Sequence, residues 1–152
     1  MMTNPSEQPV PSSIMAMSDH TGPLGQRVYD MLPADCEKIE FTADLTATVG
    51  QTSALVYRGG SPFSFTTYDH GIINSLPPLR LLMYKPGGGT WYSMVITITN
   101  EGKADFRFDY EHEPVWVSPV DPTIWVKDQA AFPRDPENQP EWLRERLAQA
   151  GA

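Results

Sequence analysis

Enzyme chemistry needs nucleophiles, acids and bases, or metal ligands brought together, and this chain is thinly supplied with them. It carries three histidines, His20, His70 and His112, and one cysteine, Cys36. No histidine stands in a metal-ligand spacing such as HExxH, and Cys36 has no second cysteine for a CxxC pair, a Cys-rich zinc site or an internal disulfide. A Cys36–histidine pair could act as nucleophile and base, but a lone cysteine more often fills space as a small buried hydrophobe. There is no GxSxG nucleophile elbow. The run Gly87-Gly88-Gly89-Thr90 invites comparison with a phosphate-binding loop. It lacks the GxxxxGK pattern, however, and it precedes a strand pattern instead of opening a helix. A helix-to-strand turn is expected there, with glycine supplying positive φ.

The densest set of carboxylates is Asp105, Asp109, Glu111 and Glu113. Strand alternation places Asp105, Arg107, Asp109 and Glu111 on one face, with Lys103 joining them. Carboxylates spaced along a strand can hold a cation or run acid–base chemistry. The interleaved Lys103 and Arg107 instead mark a solvated outer face, and such a face suits electrostatic recognition of a protein partner. Glu40 and Asp44 extend it if the first strand lies near this one. The turn from Lys85 to Trp91 is a second candidate surface. No catalytic residue, metal ligand or cofactor is expected. Trp116, Trp125, Phe132 and Trp142 surround proline-rich connections and are expected to pin irregular segments to the sheet. An alternative reading is a ligand- or nucleotide-binding accessory domain with a pocket lined by Trp91, Trp116 and Trp125.

These residues need elements to position them, and the chain is long enough for one domain at 152 residues. Eleven Lys and Arg against nineteen Asp and Glu give a net charge of -8, which argues against nucleic acid as a partner because phosphate neutralisation needs a basic stripe. No apolar run approaches the ~20 residues of a membrane span. No Lys or Arg precedes Arg27, so no secretory signal is expected, and the expected location is cytoplasmic. The oligomeric state is left open, with a monomer favoured. Residues 1–19 lack periodicity and read as a disordered Pro/Ser/Met leader, followed by a single domain over residues 20–150. Within it, residues 23–33 read as a short amphipathic helix. Ile39, Phe41, Ala43, Leu45 and Ala47 alternate with polar residues as a half-buried strand, with residues 53–58 as its antiparallel partner and residues 63–65 as a further short strand. Residues 68–84 read as two helical pieces broken at Pro77-Pro78. Residues 91–100 and 103–110 form a hairpin, and two helices follow from about Thr123 and Glu141. Together these predict an α+β two-layer sandwich, an antiparallel meander of about four or five strands with helices on one face.

The stretch LRLLMYKPGGGTWYSMVITITNEGKADFRFDYEHEP, followed by FPRDPENQPEWLRERL, resembles the YezG-like immunity proteins of bacterial polymorphic toxin systems. Its most specific parts are Gly89-Thr90-Trp91 entering a strand, the phenylalanine-rich strand ending Asp109-Tyr110, Phe132-Pro133-Arg134, and Pro140 through Trp142 to Leu143. The resemblance covers about residues 55–147. It implies an antitoxin that binds a cognate toxin domain, a nuclease or an NAD-degrading glycohydrolase, and blocks it. The Pro-rich leader and Pro77-Pro78 depart from the simpler members, and no catalytic residue is carried over.

Overall fold

The computed structural model describes residues 12–65 and 69–151, with side chains from residue 19 onward. Five strands, β1 (Lys38–Leu45), β2 (Gly50–Arg58), β3 (Ser61–Ser64), β4 (Ser93–Thr99) and β5 (Ala104–Asp109), form one sheet in the order β3-β2-β1-β4-β5. Every pairing is antiparallel. The expected α+β sandwich is therefore the observed architecture.

β1 is the central strand because it has the longest strict alternation in the chain. Ile39, Phe41, Ala43 and Leu45 are buried while the residues between them are only partly so. In register, Phe41 lies opposite Ala54 and Ile96, and Ile96 lies opposite Phe106, so one apolar row crosses the sheet. Tight turns set these registers. Gly59 and Gly60 take φ of 59° and 80° between β2 and β3, the left-handed pair that a two-residue hairpin needs. Both their N–H groups donate to the Glu37 carboxylate.

Two helices, α1 (Ser12–Asp30) and α2 (His70–Leu82), cover the inner face of the sheet. Leu24, Val28, Ile72, Leu76 and Leu79 share one core with Ile39, Met94, Ile96 and Ile98. α1 corrects the reading of the leader: residues 12–19 are its first turns, and the helix contains Pro23 and stops at Asp30. Once Leu24 and Val28 are packed the costly nucleus exists, and further turns add at little cost. Pro23 withholds a donor only from Asp19, which is exposed. Residues 1–11 of the expected leader lie outside the described residues.

α2 also corrects an expectation, since it runs unbroken through Pro77 and Pro78. Both prolines sit on its exposed side, where water can serve the carbonyls of Ile73 and Asn74 that lose their helical donors. Asp69 caps its start by accepting from the Ile72 N–H at 3.1 Å, and it pairs with Arg27 of α1.

The chain ends in α3 (Thr123–Ala131), a 3-10 turn at Pro136–Asn138 and α4 (Glu141–Gly151). These build a second core around Tyr92, Ile124, Trp125 and Leu143, with Val49, Trp116 and Trp142 packed against it. It sits at the end of the sheet where Leu45 meets Gly50 and Asp44 meets Ser93.

Candidate functional site

The register of the sheet arranges its outer face in rungs across β2, β1, β4 and β5. One rung reads Gln51, Asp44, Ser93, Asp109; the next Ser53, Thr42, Val95, Arg107; the third Leu55, Glu40, Thr97, Asp105. Glu40 and Asp105 thus share a rung with one residue between them, and so do Asp44 and Asp109. Strands spaced by about 4.8 Å separate each such pair by about 10 Å. β1 and β5 contribute to one face because β4 hydrogen-bonds to both.

The charged residues of this face fall into two groups. Asp44 and Asp109 hold the structure together. Asp44 accepts from Ser93 Oγ at 2.6 Å and from Gln51 Nε2 at 2.8 Å. The same Gln51 side chain donates to the Val115 carbonyl and accepts from the Val117 N–H, clamping the segment that carries Trp116. Asp109 Oδ1 accepts the backbone N–H groups of Glu111 and His112, and Oδ2 meets His112 Nδ1 at 2.9 Å. Partial burial alone would raise the Asp109 carboxyl, but these backbone and imidazole bonds outweigh it and hold the group below its ordinary value.

The second group faces solvent. Arg107 and Asp105 form an exposed ion pair at 2.9 Å, and Lys103 is 3.9 Å from Glu101 with 81% of its side chain exposed. Exposed pairs of this kind add little stability and leave the charges available to a partner. Glu40 is half-exposed between them and β2. Two of the expected members sit elsewhere. Glu111 lies beyond the end of β5, where the turn capped by Asp109 takes it out of strand alternation, and its carbonyl accepts from Trp142 Nε1 at 2.7 Å. Trp91 is fully buried against Phe108, so it offers no surface. Its turn neighbour Lys85 places its ammonium 4.6 Å from the centre of the Tyr110 ring.

The glycine run is a receptacle for an arginine. Gly87 and Gly88 bridge to the backbone of Arg134, whose guanidinium, 4% exposed as a residue, donates to the carbonyls of Thr90, Tyr110 and Asn138 and lies over the Tyr92 ring at 4.7 Å. Gly89 has φ of 79°, and any Cβ there would collide with the Arg134 side chain. The Gly-Thr-Trp and Phe-Pro-Arg segments are therefore two halves of one interlock. A second buried arginine, Arg80, was not singled out from sequence. It pairs with Asp128 through two bonds of 2.5 and 2.9 Å, and its Nε donates to the Trp91 carbonyl at 2.7 Å. Asp128 also accepts the Ala47 N–H. A charge four residues after Leu76, on the apolar stripe of α2, was the signal available. Burial between these arginines pushes the Tyr92 hydroxyl up to about 12, against the opposing pull of Arg134.

Cys36 is buried, with Sγ 3.8 Å from Asp35 Oδ1. Trp91 belongs to the main core while Trp116 and Trp125 pack in the second, so the three rings do not face one pocket. Among the described residues no group of three His, Cys, Asp or Glu could hold a metal ion, and no helix is long and apolar enough to cross a membrane. Models of known protein families give no match to this chain, and neither does a search of curated proteins.

Proposed function

We propose that this protein is an immunity protein that acts in the cytoplasm by binding a toxin domain and blocking it, the toxin being a nuclease or an NAD-degrading glycohydrolase. One observation carries the reading: Glu40, Asp105 and Arg107 stand together on a face built from three hydrogen-bonded strands, and the one bond among them, the exposed Arg107–Asp105 ion pair, adds little to the fold. Stoichiometric inhibition asks for such a surface on a rigid scaffold and for no nucleophile. The motifs that carry the family resemblance support the scaffold half of the reading, since the interlock of Arg134 with the glycine loop is structural.

The test is protection of cells that express the protein encoded beside this one. Co-expression of the wild type is expected to restore growth. Glu40→Lys with Asp105→Lys is expected to weaken binding about tenfold or more, because two charges of the wrong sign then face the partner. Circular dichroism and the melting temperature should stay unchanged, as both sites are on the solvent side. Full protection by the folded double variant would remove this face from the proposal, and no protection by the wild type would remove the proposal itself.

A further inference from the structure

We infer that β5 pairs with β5 of a second copy, antiparallel and with Phe106 opposite Phe106, joining two five-stranded sheets into one of ten strands. β5 is an edge strand, and an edge presents unpaired main-chain groups. The carbonyls of Lys103 and Asp109 point at β4, where they accept the N–H groups of Thr99 and Tyr92 at 2.9 and 2.8 Å. Backbone direction alternates along a strand, so the N–H and C=O groups of Ala104, Phe106 and Phe108 point off the sheet.

A two-fold pairing through those groups can centre on Phe106, which sets Ala104 opposite Phe108. The outer positions then fall as Asp105 opposite Arg107 and Lys103 opposite Asp109, opposite signs at all four sites. They occupy the non-hydrogen-bonded positions, where side chains approach most closely. Slipping by one pair either way destroys this. Phe106 opposite Phe108 puts Arg107 against Arg107 and Asp105 against Asp109; Phe106 opposite Ala104 puts Asp105 against Asp105 and Lys103 against Arg107. The charge sequence thus selects one register for a partner of its own kind. On the inner face, the small Ala104 would receive the large Phe108 of the other copy. Beside it lies a depression of about 450 Å³ lined by Gly22, Gly25, Tyr29, Ala104 and Phe106. Phe106 and Phe108 are only partly buried in the single chain, and the pairing covers them.

A dimer formed this way would stand in place of the monomer favoured from sequence. It does not rest on the toxin reading, although it engages the Asp105 and Arg107 charges that the toxin reading also uses; self-association is measured on the protein alone, so failure of one leaves the other standing.

Sedimentation equilibrium of the protein alone tests it. The wild type is expected to approach twice 17.0 kDa as concentration rises, a mass-action dependence that a monomer lacks. Arg107→Asp sets like charges opposite at two symmetry-related places and should weaken self-association about tenfold or more. Adding Asp105→Arg to that variant exchanges the two charges and restores complementarity, so the double variant should recover the dimer. A wild type that stays at 17.0 kDa overturns the inference. So does a dimer indifferent to Arg107→Asp, or a folded double variant that stays monomeric.

Discussion

Arg80 and Asp128 stand 48 residues apart and meet with both side chains buried, at 2% and 7% exposure. Two charges taken out of water are tolerable only when geometry and extra hydrogen bonds compensate for lost hydration. Here they do: the guanidinium has Asp128 and the Trp91 carbonyl, and the carboxylate has Arg80 and the Ala47 amide. Removing one partner leaves the other stranded. Asp128→Ala is expected to cost about 3–5 kcal/mol in urea unfolding, whereas replacing both with apolar residues of similar volume should cost far less. A loss below about 1 kcal/mol for the single variant would show that Arg80 finds water or another acceptor. The sequence did not reveal this pair. Alternation and spacing report only local order, and nothing local to Asp128 announces a ligand on another helix. The outer charged face was legible for the opposite reason, since Asp105 and Arg107 owe their placement to alternation within one strand. Glu111 failed the same rule because Asp109 bends the chain two residues earlier.

Among the elements, strands were readable because their period of two survives wherever one face is buried and the other wet. β1, β4 and β5 emerge within a few residues of their observed limits. Helices were less so, and each discrepancy involves proline. A proline inside a helix reads as a break, yet Pro23, Pro77 and Pro78 all sit where the orphaned carbonyls can reach water and tertiary packing holds the helix on either side. The glycine loop was legible as a turn but not as a socket, because its occupant, Arg134, is some 45 residues downstream of Gly89. That socket makes a sharp prediction. Gly89→Ala combines a left-handed backbone with displacement of Arg134 and should cost at least about 2 kcal/mol. Gly151→Ala, at the end of α4 with open space around it, should be neutral or stabilising by at most about 0.5 kcal/mol. Equal melting temperatures for the two variants would mean that Arg134 is not fixed by the loop.

At the scale of the whole molecule, the net charge of -8 governs encounter more than fold. A toxin that is a nuclease needs positive charge to hold its substrate, so its capture by this protein would be steered by long-range attraction before any contact forms. Pairing through β5 would strengthen that field, since two copies bring two outer faces into one plane with twice the charge. Screening separates this effect from short-range fit, because the Debye length shortens from about 30 Å at 0.01 M to about 8 Å at physiological ionic strength. Over that range, stopped-flow measurements with the proposed toxin partner should show the association rate falling about tenfold or more. The dissociation rate should change far less, because groups already in contact are poorly screened. Glu40→Gln and Asp105→Asn should flatten the salt dependence of association in proportion to the charge they remove. An association rate indifferent to salt would assign capture to shape alone and leave the acidity of the chain without a part in it.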